Sequence, residues 1–283
     1  MNLNIIIPIL NPSDEFFTKL IPALRDQTLK PEILLINSGS VIPDGEYEVI
    51  KIDKGDFNHA NTRNIALQYE ADFHLFMTQD AIPCDDDLIT NLVQAFDNPG
   101  VVVAYARQVP KSDADPIEKF ARETNYPPHS CVKAKNDLPH LGIKTFFNSD
   151  SCAMYRGSYF RSVNGFMPDL NTNEDMEFAA RAIMDGKKVA YCAEAKVFHS
   201  HRFSMFEIWK RYCEIGKFFG NNSWILEIVS QYTKAESTGI KQAIAELKFL
   251  SRTAPMYLFR SAFVSLIKFS AFRYSVYQSR RSL

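Results

Sequence analysis

His74-Leu75-Phe76-Met77-Thr78-Gln79-Asp80-Ala81-Ile82-Pro83 is the stretch that decides the fold of this chain. A short apolar run passes directly into a polar tripeptide, and a proline closes the segment. His74–Thr78 therefore reads as a buried strand ending in a turn. The same pattern recurs upstream at Leu3–Leu10, Ile33–Ile36 and Tyr47–Ile52. Between these runs, Asn11-Pro12-Ser13-Asp14 has the chemistry of a turn and helix start. Phe16, Phe17, Leu20, Ile21 and Leu24 follow at helical spacing, and Ala60–Tyr69 reads as a second helix. Downstream, Asp85–Phe96 is predicted helical and Val101–Tyr105 extended. Strand–helix alternation at this spacing predicts an α/β fold, a parallel sheet flanked by helices. Ligands bind such sheets at the carboxyl ends of the strands, where Asp80 stands.

Beyond Tyr105 the pattern weakens. Pro110, Pro116, Pro127, Pro128 and Pro139 interrupt residues 107–150, leaving one short helix predicted over Ile117–Thr124. Cys152–Tyr155 is strand-like, Ser158–Val163 and Glu174–Met184 are helical, and Val189–Tyr191 and Lys196–His199 read as two short extended pieces. From Ser204 the chain is helical and aromatic, which sets a boundary near residue 203.

The chain has 283 residues with a net charge of −1, room for one α/β domain and an appendage. Its charge is uneven. Residues 203–283 carry twelve Lys and Arg against five Glu, and no acid follows Glu246. A basic tail on an acidic body predicts an anionic partner. No nucleic-acid-binding motif accompanies it, so no nucleic acid is expected. Five cysteines stand singly and in odd number, which argues against a disulfide framework. No signal peptide opens the sequence and no apolar run is long enough to cross a bilayer, so the expected location is cytoplasmic.

Several polar clusters are candidates for chemistry. An acid directly after a strand, like Asp80, can hold a divalent cation, or it can cap a turn. Asn58-His59-Ala60-Asn61-Thr62-Arg63-Asn64 brings a guanidinium and several amides to a helix start. Arg63 then serves either phosphate and base recognition or an exposed helix turn. Asn173-Glu174-Asp175-Met176-Glu177 opens a helix, where acids suit the dipole and also suit a general base. His199 and His201 alternate on an extended segment, so one of them is expected to enter the site as a metal ligand or a structural imidazole.

Taken in order, these segments resemble the family 2 inverting glycosyltransferases of the GT-A fold, in particular the bacterial rhamnosyltransferase-like branch. The resemblance runs from Ile5-Ile6-Ile7-Pro8 and Leu35–Ser40 through Phe57–Asn64, Phe76–Ala81 and Asp150–Phe166 to Glu174-Asp175 and His199. It implies a Rossmann-like, mixed and mostly parallel GT-A sheet over 1–202, with a nucleotide-sugar half to about 107 and an acceptor half over 108–202. A helical extension over 203–283 would follow. It places Pro8, Asn37, Ser38, Arg63, Gln79 and Asp80 at the nucleotide. Asp80 and His199, with His201 as the fallback, would hold Mn²⁺ or Mg²⁺. Asp175 would be the base, and Asp150 and Glu174 would face the acceptor or donor sugar. Two departures from the family pattern stand out. Asn37 and Ser38 replace an acid that often reads the base, and Thr78 replaces the first acid of the Asp-x-Asp element.

The implied activity is inverting transfer of a sugar, L-rhamnose from dTDP-rhamnose, to a saccharide acceptor, lipid-linked in surface-polysaccharide assembly. A UDP-sugar donor and a non-catalytic nucleotide-sugar-binding scaffold are the alternatives. On a helical wheel of Tyr257–Tyr277, Phe259, Phe263, Leu266, Ile267, Tyr274 and Tyr277 share one side. Arg260, Ser261, Ser265, Lys268 and Ser275 share another. Such a helix either lies on an anionic membrane surface or packs, on its own domain or in a homodimer.

Overall fold

A computed structural model describes residues 1–201, 203–232 and 235–281. Arg202, where the expected catalytic segment ends, lies outside the described residues. The chain divides into two compact units, one of 1–109, 127–135 and 146–199, the other of 110–126, 136–145 and 200–283. The sequence boundary near 203 assigns 110–126 and 136–145 to the catalytic segment; here they group with the C-terminal helices.

The first unit is a nine-stranded mixed sheet. Its strands are β1 (Leu3–Ile9), β2 (Glu32–Asn37), β3 (Glu48–Lys51), β4 (Phe73–Met77), β5 (Ile82–Pro83), β6 (Val101–Val109), β7 (Cys131–Lys133), β8 (Cys152–Arg156) and β9 (Lys188–Phe198). The order is β3-β2-β1-β4-β8-β6-β9-β5, with β7 also on β9. β3, β2, β1 and β4 run parallel. β8 then enters antiparallel between β4 and β6. β1 and β4 are buried along nearly their whole length, as strands covered on both faces must be. Ile5, Ile7, Leu35, Leu75 and Met77 pack with Phe16, Leu20 and Leu24 of the first helical segment. The two extended pieces predicted over 189–199 are one strand; its pairing with β6 is interrupted by a bulge after Ala106, which accounts for the broken pattern.

Gly157 marks the closest approach in this unit. A Cβ there would stand 2.0 Å from the carbonyl oxygen of Ala71, so no other residue fits.

The second unit is helical. Asp115 caps Pro116–Asn125 by accepting from the Glu118 N–H, with Pro116 at the first turn. Ser204 and Glu207 form a capping box on Met205–Asn221. That helix packs along Leu258–Arg281 at a separation only glycine allows. A Cβ on Gly216 would stand 2.5 Å from the Phe272 carbonyl oxygen, and one on Gly220 would stand 2.5 Å from the Ser279 Cβ. Among the described residues, no helix is long and apolar enough to cross a membrane.

Candidate active site

Two loops close the carboxyl end of the parallel strands, and polar side chains stitch them together. Asn37 ends β2 and folds back in an Asx turn, accepting from the Gly39 N–H at 2.8 Å and donating to the Ser40 carbonyl at 2.9 Å. Asn11 ends the β1 loop in a left-handed conformation, φ 43°. Its Oδ1 accepts from both the N–H and the hydroxyl of Ser40. The Ser38 hydroxyl donates to the Ile9 carbonyl. Gln79 donates to and accepts from the backbone of Leu10. Asn37, Ser38 and Gln79 thus shape this rim through their side chains, and Pro8 sits in β1 beside Ile36.

Next to this rim lies a groove of about 560 Å³, lined by Asn37, Gly39, Lys51, Asp53, Asp56 and Asn61 among others. It opens where β2 and β3 end, the position at which an open α/β sheet takes a ligand. Lys51 and Asp53 were absent from the sequence-derived candidates. The rule that singles out Asp80 also finds Asp53, which directly follows the strand predicted over Tyr47–Ile52; Lys51 ends β3 itself and carries no such signal.

The Asn58–Asn64 segment does two jobs. Its asparagines hold the loop that leads to Glu174. Asn64 makes paired hydrogen bonds with the Phe166 backbone, at 2.9 and 2.8 Å. Asn61 pairs with Asp169 through its side chain and backbone, and Asn58 donates to Asn171. Asp169 and Asn173 in that loop adopt φ of 62° and 59°, a conformation Asp and Asn tolerate better than most residues. Arg63 turns inward. Only 2% exposed, it lies 3.0 Å from Glu174 and 3.5 Å from Asp150. It also approaches the His59 ring nitrogen at 3.0 Å.

Around this guanidinium three carboxyl groups gather. Asp150 is 3% exposed and accepts the Tyr155 phenol at 2.6 Å. The Asp150 N–H donates to Asp175 at 3.2 Å, and the Met176 N–H donates to the other Asp175 oxygen at 2.7 Å. Three acids face one cation, so burial leaves excess negative charge. Burial raises the Asp150 carboxyl well above its usual range; Arg63 opposes this, while Asp175 and Glu174 add to it. Burial, then the Glu174 charge, lifts Asp175 to about 7. Burial opposes the Arg63 charge, yet Glu174 and Asp150 hold its pKa above the ordinary value. A carboxyl poised near 7 beside an acid cluster is suited to general-base work.

Asp80 and His199 form the second focus. Asp80, one-third exposed, has Oδ1 3.4 Å from the buried His199 Nε2. The Gln108 amide donates to Ser149 Oγ at 2.8 Å, which turns its carbonyl oxygen toward His199 Nδ1, also 2.8 Å away. A carbonyl accepts, so Nδ1 carries the proton, and Nε2 is the ring nitrogen that faces Asp80. Two acceptors at this separation call for a proton or a cation between them. One carboxylate oxygen and one imidazole nitrogen are donors of the kind that hold a divalent cation. His201 belongs to the second unit, where its N–H approaches Glu118.

Known proteins resemble this chain in sequence and in fold. The chain is 38% identical to the O-antigen chain rhamnosyltransferase RfbN of Salmonella typhimurium, over 96% of this chain and 89% of that one. It is 34% identical to the O-antigen chain rhamnosyltransferase WbaN of Salmonella anatum, over 96% and 88%. The fold resembles a Pyrobaculum calidifontis mannosyltransferase solved with GDP-Man and Mn²⁺, with a TM-score of 0.65 at 14% identity, over 98% of this chain and 87% of that one. It also resembles S. aureus TarS 1-349 solved with UDP-GlcNAc, with a TM-score of 0.58 at 12% identity, over 100% and 92%. With residues 4–163 matching the model of glycosyl transferase family 2, the chain belongs to that family and is a glycosyltransferase of GT-A fold.

Proposed function

We propose that this enzyme transfers L-rhamnose from dTDP-rhamnose to a saccharide acceptor, lipid-linked, in O-antigen-type polysaccharide assembly. The observation that carries the reading is the identity with two O-antigen chain rhamnosyltransferases across nearly the whole chain. The site supplies a matching chemistry. Asp175 takes the proton of the acceptor hydroxyl. The freed oxygen forms a bond to the anomeric carbon of the donor while the bond from that carbon to the diphosphate breaks. A single in-line displacement inverts the configuration. Glu174 and Asp150, steadied by Arg63, orient the sugar beside the base.

Asp80 and His199 would hold a divalent cation. When bound, Mn²⁺ or Mg²⁺ there neutralises the departing diphosphate. The groove at the ends of β2 and β3 takes the nucleoside. Asp53 stands in for the acid absent at Asn37 and Ser38, accepting the imide N–H of the pyrimidine. Thymine and uracil both present that N–H, so the groove alone leaves UDP-sugars as the competing donors.

The test is transfer from dTDP-rhamnose, UDP-galactose and UDP-GlcNAc to a lipid-linked oligosaccharide, with Mn²⁺ and with EDTA. Metal-dependent turnover restricted to dTDP-rhamnose is expected. Turnover with a UDP-sugar alone would discard rhamnose. Nucleotide binding without transfer from any donor would point to a non-catalytic scaffold.

A further inference from the structure

The helix Leu258–Arg281 presents the opposite side from the one solubility favours. Ser261, Val264 and Ala271 are buried, and the Ser261 hydroxyl donates to the carboxylate of Glu246, itself buried. Small side chains on this face meet Gly216 and Gly220. The outward face carries Phe259, Phe263, Leu266, Phe269, Tyr274 and Tyr277, each more than half exposed, Phe259 at 91%. These six recur every three to five residues, so they form one stripe along the helix. The neighbouring helix extends it: the Trp209 ring lies 6.3 Å from Tyr274, and Phe206 is 75% exposed. A continuous apolar stripe of this kind marks an interaction surface.

The charges say what covers it. Arg273, Arg280 and Arg281 are exposed on the same helix, and no acid follows Glu246 in the sequence. A second copy docked on this stripe by a two-fold axis would bring guanidinium groups together, with no acid on the helix to neutralise them. An anionic lipid surface accepts both parts of the pattern: aromatic rings enter the headgroup boundary, and arginines meet phosphate. Since no described helix can cross a bilayer, the helix would lie flat, about 36 Å long at 1.5 Å per residue. We infer that the Phe259–Tyr277 stripe, with Phe206 and Trp209, seats the enzyme on an anionic membrane surface. This inference does not depend on the donor sugar or on the metal.

The experiment is flotation of the full chain with vesicles of phosphatidylcholine alone or with 30 mol% phosphatidylglycerol, alongside sedimentation equilibrium without lipid. The variants are Phe259→Ser/Phe263→Ser/Leu266→Ser and Arg273→Gln/Arg280→Gln/Arg281→Gln. All six side chains are exposed, and an unchanged nucleotide-induced rise in Tm confirms folding. Expected are at least ten-fold tighter binding to the anionic vesicles, weakening with salt, and a ten-fold or greater loss in each variant. Equal binding of wild type and variants, or no binding to anionic vesicles, overturns the proposal. So does a wild-type dimer that the serine variant dissociates, which would assign the stripe to a second copy.

Discussion

Gln108 of β6 and His199, the residue that follows β9, face each other, Oε1 to Nδ1 at 2.8 Å. The contact fixes which imidazole nitrogen meets Asp80. Outer hydrogen bonds of this kind commonly contribute about 10–100-fold to metal affinity. Gln108→Leu is therefore expected to weaken Mn²⁺ binding by about ten-fold or more, read by the EPR signal of free Mn²⁺. Gln108→Glu retains the acceptor and should retain affinity. Unchanged binding in the leucine variant would remove Gln108 from the site.

Asp175→Asn tests the base. Transfer should fall by about 10²–10⁴-fold while dTDP affinity stays within a few-fold. Substantial turnover in the asparagine variant would move the base elsewhere, with Glu174 and Asp150 the nearest acids.

The elevated Asp175 carboxyl predicts a pH dependence. Burial and the Glu174 charge lift it to about 7, so kcat/KM should rise through a limb near that pH. Glu174→Gln should move the limb to lower pH. Stability runs the other way. A carboxyl whose folded pKa lies above its unfolded value near 4 favours the folded state at low pH, and that contribution is lost as pH rises through about 7. Asp175→Asn should therefore raise Tm relative to wild type at pH 8, with the gain vanishing toward pH 4. A gain that grows on acidification would contradict the assignment.

Much of this was legible because strand ends and helix starts are local signals. Asp80 follows an apolar strand, and Glu174-Asp175 opens a helix whose limits, Glu174–Met184, the sequence marks correctly. The partners of such groups are long-range and left no mark. Gln108 sits in β6 like any strand residue, and its role depends on His199, 91 positions away. Asparagine amides serve ligands and backbone equally well, so nothing in Asn58–Asn64 announces that Asn61 and Asn64 brace a loop about a hundred residues on. β8 was recognisable as a strand, but its antiparallel insertion between β4 and β6 is a property of the assembled sheet. The wheel of residues 257–277 separated two sides, yet the residues that turn Ser261, Val264 and Ala271 inward, among them Glu246, Gly216 and Gly220, lie on other helices.

Among the described residues, Arg63 is the single cation beside three acids, and its side chain is 3% exposed. Arg63→Met removes the charge but keeps comparable bulk. Breaking a buried pair from one side costs about 3–5 kcal/mol. The loss should be largest at pH 8, where the acids are most ionised, and smaller at pH 5, where protonation relieves them. Chemical denaturation at the two pH values measures this. An equal, small loss at both would show that the acids do not rely on Arg63.

Asp53 belongs to the groove at the ends of β2 and β3 rather than to the metal focus. Its removal should therefore act on the nucleoside and leave the cation untouched. A hydrogen bond to a charged acceptor contributes about 1.5–3 kcal/mol, so Asp53→Ala should weaken dTDP and dTMP alike by roughly 10–100-fold. Mn²⁺ affinity should not change. Asp80→Ala should do the reverse, weakening dTDP in the presence of Mn²⁺ while sparing dTMP, which lacks the diphosphate. If Asp53→Ala left both nucleotides unaffected, the base would be read by backbone groups of the Asn37–Ser40 loop instead. Isothermal titration of the two variants with the two nucleotides separates these outcomes.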